Sequence, residues 1–237
     1  MGGPPWPPLS GGKMPTSADF PYPRRYNSLR LLGFDYANVD SLYFVTVDTD
    51  SSRPVFGDVT LAKAILTSLL SDQTQTNIRV QAFTLLPDHF HLLAGVKEAS
   101  KNLSNALGVF KSYTTQVYWK RSREIIEQKR VALPATSIQK DARNDEPLLA
   151  ALMEWRAVLR PEAVVLKNWP AVHPEHFLGK HLWHTKFNDH IIRNDADLRE
   201  TIEYIALNPV KRGYVSKPQF YAFTGFASEV REGAFVA

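Results

Sequence analysis

A β-hairpin over residues 78–96 constrains the fold more than any other segment of the sequence. Apolar and polar residues alternate from Ile78 onward, and the apolar run that follows ends at Pro87-Asp88, a pair typical of tight turns. The return segment 89–96, HFHLLAGV, alternates again, because successive side chains of a strand point to opposite faces. His89 and His91 therefore lie on one face of the predicted sheet.

The segments around this hairpin predict an α+β chain. Residues 42–48, LYFVTVD, are β-branched and aromatic and predict a strand, while residues 57–70 carry apolar side chains at helical spacing. A long amphipathic helix is predicted over residues 100–124, and a last helix follows Asn194, a favourable N-cap residue. Pro209 is predicted to end that last helix, since proline disfavours helix continuation.

The remaining segments predict one core domain with a large insertion. Residues 1–25 are rich in Gly and Pro and are interpreted as a disordered lead. Residues 26–216 are assigned to the domain, and residues 217–237 to a C-terminal tail. The regular pattern breaks over about 127–180, where a polar stretch, a helix around 147–159 and a loop rich in Pro and His indicate the insertion.

Composition excludes several classes of protein and site. The chain has no cysteine, so disulfides, thiolate metal sites and a cysteine nucleophile are excluded. No apolar run approaches the roughly 18 residues of a membrane-spanning helix, so no membrane partner is expected. A net charge of +4 and a pI of about 9.2 mildly favour a polyanionic partner.

Two residue pairs carry possible chemistry, and each has a structural alternative. The i, i+2 pair His89 and His91 is able to present two nitrogens to one metal ion, but half-buried histidines at a sheet edge give the same pattern. Tyr204 and Asn208, spaced i, i+4, lie together with Thr201 on the flank of the last helix. A tyrosine at the rim of a core and an asparagine that ends a helix are the alternatives there.

Three motifs taken together resemble a known family. LLPDHFHLLA, FNDHIIRN and EYIALNPVKRGYV are similar, in order and character, to the signatures of REP-associated tyrosine transposases, within the insertion-sequence-200-like single-tyrosine HUH transposases. The resemblance covers roughly residues 40–124 and 181–216. It implies a ferredoxin-like antiparallel sheet with helices packed on one face, the HUH endonuclease type, in which Tyr204 approaches His89 and His91.

The resemblance also implies roles for the site residues. His89 and His91 would hold a divalent metal, Mg²⁺ or Mn²⁺, and Asn208 would be a third ligand at a position where some relatives carry Gln. Tyr204 would be the nucleophile that forms a 5′-phosphotyrosine link with DNA. His190 is a catalytic candidate, either activating Tyr204 or holding DNA, with a purely structural histidine as the alternative.

The implied partner is single-stranded DNA or a DNA hairpin of the repetitive extragenic palindrome kind. A cytoplasmic, nucleoid-associated protein is therefore expected. Whether the protein acts as a monomer or a homodimer stays open. Basic residues near the motifs are candidates for phosphate contacts, each with a solvated surface charge as the alternative, namely Lys111, Arg193, Lys211 and Arg212. Arg24 and Arg25 lie between Tyr22 and Tyr26 in a basic-aromatic cluster that could clamp DNA, or form a loosely ordered arm.

Two rival functions follow from other features of the chain. His173, His176, His181 and His184 form an HxxH-HxxH pattern that could bind zinc in a hydrolase or a structural site. Pro174 and the lack of a suitably spaced glutamate in this cluster argue against it. A binding-only nucleic-acid module built on the same core is the other rival, which the retained His89, His91 and Tyr204 disfavour.

Overall fold

The fold is an α+β arrangement with one five-stranded antiparallel sheet, as the sequence predicts. The computed structural model describes residues 36–71, 77–130 and 169–227. The strands have the order β4-β1-β3-β2-β5. In chain order the elements are β1 (Tyr43–Asp48), α1 (Val59–Leu70), β2 (Ile78–Leu85), β3 (His89–Val96), α2 (Leu103–Arg130), β4 (Asn188–Ile191), α3 (Asp195–Lys211) and β5 (Thr224–Phe226).

The first four strands follow the ferredoxin-like pattern. Their chain order with the helices is β1-α1-β2-β3-α2-β4, and β1 and β3 lie at the centre of the sheet with every neighbouring pair antiparallel. β5 adds a fifth strand beside β2 and lies within the range 217–237, which was assigned to a tail. The strands β4 and β5 were not predicted, since strands of four and three residues carry little periodic signal.

Alternation along the central strands gives the sheet two apolar faces. On one face, Phe90 and Leu92 of β3 belong to the main core together with residues of α1 and α2. On the other face, Phe44 and Leu93 pack against α3 in a second cluster with Ile202, Ile205 and Ala206. The expectation of helices on one face was therefore wrong for α3. The reason is that the second face also carries large apolar side chains, which need a cover.

The ends of α3 confirm one prediction and correct another. The side chain of Asn194 accepts a hydrogen bond from the backbone N–H of Asp197, so the predicted N-cap is present.

Pro209 lies inside the helix, which continues to Lys211. Proline removes only its own N–H, and the carbonyl of Asn208 still accepts from the backbone of Arg212 at 3.0 Å. The helix ends before Gly213, whose φ of 74° suits glycine.

Other predictions differ in extent or fall outside the described residues. α2 ends at Arg130 rather than near residue 124. The lead at 1–25, including Arg24 and Arg25, and the helix predicted around 147–159 lie outside the described residues. Within the described ranges, none of the helices combines the length and apolarity that crossing a membrane requires.

A matched pair of leucine substitutions tests the position of the core. Leu92 is 0% exposed in the main core, whereas Leu178 is 70% exposed in the loop before β4. We expect Leu92→Ala to lower the free energy of unfolding by about 3 kcal/mol, because it removes buried methyl groups and leaves a cavity. Leu178→Ala should change it by less than about 0.5 kcal/mol. Urea unfolding followed by circular dichroism measures both, and equal losses would contradict the fold.

Candidate active site

Two histidines at the beginning of β3 form the centre of the site. His89 and His91 are 6% and 3% exposed, and their ring centroids are 4.7 Å apart. Both lie on the face of the sheet that α3 covers, as the alternation predicts, because Leu93 of the same face belongs to the second cluster. In the antiparallel register, Thr46 of β1 lies opposite His91.

Each imidazole is held by a neighbouring side chain through Nδ1. Nδ1 of His89 lies 2.6 Å from Oδ1 of Asp88 in the preceding turn. Nδ1 of His91 lies 2.8 Å from Oγ1 of Thr46. The backbone carbonyl of Asp88 accepts hydrogen bonds from both the N–H and the hydroxyl of Thr49, so the turn is tied to the end of β1.

α3 brings the other two predicted residues to this pair. The ring of Tyr204 stands edge-on to His91 with centroids 5.2 Å apart, and it also contacts Phe44 at 5.7 Å. Nδ2 of Asn208 donates a hydrogen bond of 3.0 Å to Nε2 of His91 in a buried position. Residues that are far apart in the sequence, His89, His91, Tyr204 and Asn208, thus meet in one place.

The pKa values of His91 and Tyr204 are shifted in opposite directions. Burial holds the pKa of His91 well below its ordinary value, and the charges of His89 and Arg212 lower it further. The imidazole of His91 is therefore neutral near pH 7. Burial raises the pKa of the Tyr204 hydroxyl, while its hydrogen bond with Asn208 and the charge of Arg212 act in the opposite direction.

Two of the predicted phosphate-binding residues lie at this site. Nζ of Lys211 lies over the ring of Tyr204, 5.2 Å from its centroid. Burial lowers the pKa of Lys211, and Glu203 opposes this shift. The positive charge of Arg212 lowers the pKa of Asp88, His91 and Tyr204.

The carboxyl of Asp88 contacts His89 and is within the electrostatic influence of Arg212. Burial raises its pKa, but the hydrogen bond and charge of His89, together with the charge of Arg212, outweigh burial and keep the pKa below its ordinary value. The Asp88 side chain is therefore an anion near pH 7.

Of the candidate cations within the described residues, Lys111 and Arg193 do not lie at the site. Lys111 is on α2, which packs on the opposite face, and its Nζ donates to the carbonyls of His184 and Thr185. Arg193 is exposed just before α3, where its backbone N–H bonds to Asp197. Phosphate contacts by these two residues stay predictions.

His190 lies at the beginning of α3 rather than beside the nucleophile candidate. It is on β4 opposite Phe44, and its Nε2 is 2.9 Å from both carboxylate oxygens of Asp197. Asp197 precedes Tyr204 by seven residues, or about 10 Å along a helix. This contact favours the structural alternative, in which His190 holds the first turn of α3 on the sheet.

The histidines of the rival zinc site do not assemble. His173 and His176 are in contact at 5.3 Å between centroids, but His181 and His184 are exposed. Among the described residues, no group of three or more His, Cys, Asp or Glu side chains is arranged to hold a metal ion. His89 and His91 are not part of such a group, and the side chain of Asn208 that contacts His91 from α3 is an amide.

Sequence reasoning missed Thr46 and Phe44, and it named Asp88 only as a turn residue. Asp88 adjoins His89 in the sequence, so a carboxylate beside a candidate ligand was a visible signal. Thr46 had no such signal, because only the pairing of β1 with β3 places it against His91.

Comparisons with known proteins agree with the resemblance of the motifs. The chain is 38% identical over 56 residues to the REP-associated tyrosine transposase of Escherichia coli (strain K12), a match that covers 24% of this chain and 34% of that protein. It is also 38% identical over 50 residues to a putative REP-associated tyrosine transposase of Haemophilus influenzae, covering 21% of this chain and 28% of that one. The chain thus spans about a third of the length of these curated relatives.

One solved structure was also found to be similar. It is a REP-associated tyrosine transposase bound to a REP hairpin, with a TM-score of 0.43 and 18% identity, covering 85% of this chain and 79% of that one. No protein-family model matches the chain. The curated relatives confirm that this chain is similar to REP-associated tyrosine transposases.

The influence of Arg212 on Tyr204 is open to direct measurement. Because the Arg212 charge lowers the pKa of the Tyr204 hydroxyl, we expect Arg212→Gln to raise that pKa. NMR titration of ¹³Cζ-labelled tyrosine gives the pKa, with the Tyr204 signal assigned by its loss in Tyr204→Phe. Lys217→Gln, which removes an exposed charge from the loop beyond α3, is the control and should leave the pKa of the Tyr204 hydroxyl unchanged. An unchanged titration in Arg212→Gln would contradict this electrostatic picture.

Proposed function

We propose that this chain is a metal-dependent endonuclease and strand transferase for single-stranded DNA, acting through a phosphotyrosine intermediate. The observation that carries the proposal is the meeting of α3 with β3, where the Tyr204 ring and the Asn208 amide lie against His91 beside His89. A tyrosine next to a pair of buried histidines provides a nucleophile and a metal-binding site together. The similarity to proteins named tyrosine transposases supports the same chemistry.

Tyr204 is the nucleophile of the proposed reaction. Its hydroxyl oxygen attacks a DNA phosphorus, forming a tyrosyl phosphodiester at the 5′ side, and the bond to the 3′ oxygen breaks. The hydroxyl proton leaves, and the departing 3′ oxygen takes up a proton to become a free 3′-hydroxyl. Because the phosphodiester is conserved in the tyrosyl link, a DNA hydroxyl can later reverse the step and join a new strand.

The donor atoms fit a divalent cation. His89 and His91 would supply imidazole nitrogens. Asn208, whose Nδ2 donates to Nε2 of His91 in this structure, would supply its amide oxygen after rotation of the amide. His91 is neutral, which metal binding by imidazole requires. Mg²⁺ or Mn²⁺, when bound, would supply Lewis-acid polarisation of the phosphate oxygens. Three neutral ligands leave further coordination positions for oxygen atoms of the substrate.

The residues around Tyr204 favour a single strand as substrate. Tyr204 is half-buried between Phe44 on the sheet and Lys211 on its own helix, so the hydroxyl lies in a confined position that duplex DNA would not enter readily. Lys211 over the Tyr204 ring and the charge of Arg212, which acts on the Tyr204 hydroxyl, supply positive charge for the phosphate backbone. The relatives are named REP-associated, and a hairpin of that palindromic kind is the proposed natural substrate.

The proposed site needs no second protomer. The four residues that carry it come from one chain, and the contacts that unite them are within that chain. A binding-only module remains a defined alternative outcome of the experiments below, as it would bind the hairpin without forming a covalent adduct.

The nucleophile is tested by one conservative substitution. Tyr204→Phe removes the attacking oxygen and keeps the ring, so we expect no protein-DNA adduct resistant to denaturation when labelled hairpin DNA and Mn²⁺ are added. The control Tyr113→Phe, at a tyrosine 52% exposed on α2, should form the adduct as the parent does. Equal adduct formation in Tyr204→Phe would assign the reaction to another residue.

The metal site is tested by two matched pairs of histidine substitutions. We expect His89→Ala/His91→Ala to lose Mn²⁺ binding in calorimetry, because it removes two proposed nitrogen ligands. His173→Ala/His176→Ala removes the contacting pair of the rival site and should bind Mn²⁺ as the parent does. His91→Gln, which keeps a polar side chain of similar size, is the second variant of the proposed site and serves in case the double alanine variant does not fold. The reverse pattern would favour the rival site.

A further inference from the structure

The two histidines of the site are held on their Nδ1 atoms by chemically different groups. A carboxylate, Asp88, faces Nδ1 of His89 at 2.6 Å, and a hydroxyl, Thr46, faces Nδ1 of His91 at 2.8 Å. Neither residue belongs to the ligand set or is the nucleophile of the proposed reaction. Their contacts nevertheless decide which ring nitrogen carries the proton.

The tautomer of each ring follows from the donors and acceptors around it. The carboxylate of Asp88 can only accept, so Nδ1 of His89 carries the hydrogen, and in the neutral ring Nε2 keeps its lone pair. Nδ2 of Asn208 can only donate, so Nε2 of His91 is the acceptor. In neutral His91 the hydrogen is then on Nδ1, which donates to Oγ1 of Thr46.

We propose that Asp88 and Thr46 are positioning residues that hold His89 and His91 in the Nδ1–H tautomer, which leaves Nε2 of each ring unprotonated for a divalent cation. On binding, Nε2 of His91 would exchange its hydrogen bond from Asn208 for the cation. This inference rests on the proposed function, since the cation belongs to that function. A hydrogen bond to the second nitrogen of a ligating histidine fixes its tautomer and orientation and raises its basicity.

Both positioning groups are themselves held by the backbone. The backbone carbonyl of Asp88 accepts hydrogen bonds from the N–H and the hydroxyl of Thr49. In the same turn, the backbone carbonyl of Pro87 accepts a hydrogen bond from the N–H of Phe56. The turn also closes through the hydrogen bond from the N–H of Leu86 to the carbonyl of His89. Thr46 is fixed opposite His91 by the pairing of β1 with β3. These contacts hold both side chains in place before any ion binds.

The two positions differ in charge and therefore in the expected size of their effects. Asp88 brings a negative charge to His89, which strengthens its nitrogen as a donor to a cation, whereas Thr46 acts on His91 only as a neutral acceptor. Loss of such partners costs roughly 10- to 100-fold in metal affinity. We expect Asp88→Ala to weaken the affinity for the cation by a factor near the upper end of this range, and Thr46→Val by a factor near the lower end.

The first experiment reads the tautomers in the full chain without metal. Long-range ¹H–¹⁵N NMR of the imidazoles, recorded above the ordinary histidine pKa, distinguishes Nδ1–H from Nε2–H forms. We expect the Nδ1–H form for both rings in the parent, and a mixture at His89 in Asp88→Ala and at His91 in Thr46→Val. The conservative variants Asp88→Asn and Thr46→Ser retain an acceptor and should keep the parent tautomers.

The second experiment measures the affinity for Mn²⁺ itself by the electron paramagnetic resonance signal of the free ion. Asp88→Ala and Thr46→Val should bind more weakly by the factors given, Asp88→Asn should fall between the parent and Asp88→Ala, and Thr46→Ser should bind as the parent does. The matched controls Asp40→Asn and Thr60→Val are at exposed positions away from the site and should be unchanged. Urea unfolding of each metal-free variant shows whether a loss of affinity comes from a loss of fold.

The outcomes separate this inference from the proposed function. If the parent binds no Mn²⁺, the metal dependence of the proposed function fails, and the positioning role fails with it. If the parent binds Mn²⁺ and the folded Ala and Val variants bind it equally well, only the positioning role is overturned. An Nε2–H tautomer at either ring in the parent would also overturn it.

Discussion

The hydrogen bond between Asn208 and His91 joins the two parts of the site, and the rest of the arrangement depends on it. It runs from the last turns of α3 to the beginning of β3, between two side chains that are almost fully buried. A buried polar group without a partner costs about 1–3 kcal/mol, so each side chain stabilises the position of the other. The bond also requires an unprotonated Nε2, which agrees with the lowered pKa of His91.

The packing of α3 on the second face of the sheet makes that bond possible. Ile202 and Ile205 bury the inner side of the helix against Phe44 and Leu93, which sets its distance from β3. His190 and the N-cap Asn194 hold its first turn through Asp197. Residues three and four apart on a helix share a face, so fixing this helix carries Tyr204 and Asn208 to the histidines together.

The sequence alone was sufficient for the parts of this arrangement that depend on local pattern. Period-two alternation placed His89 and His91 on one face, and helical spacing placed Tyr204 beside Asn208. The pattern could not show which face α3 covers, because that depends on Phe44 and Leu93 meeting across β1 and β3. Thr46 is a site residue only through that same strand register, which is a long-range property.

Local rules misled where tertiary contacts outweigh them. Proline usually ends a helix, but past Pro209 the backbone bonds from Arg212 to Asn208 and from Tyr214 to Pro209 complete the last turn, and burial of Pro209 favours it. This extension matters for the site, because a helix that ended at Asn208 would not place Lys211 over the Tyr204 ring.

The environment of Tyr204 combines two opposed requirements. Burial against Phe44 and His91 orients the ring but raises the pKa of its hydroxyl, which disfavours the anion that attacks best. The Asn208 hydrogen bond and the Arg212 charge favour that anion, yet they leave the pKa above its ordinary value. The free protein therefore keeps the hydroxyl of Tyr204, the proposed nucleophile, protonated near pH 7. In the proposed reaction, activation would come with the substrate complex, where a bound cation would add positive charge near this hydroxyl.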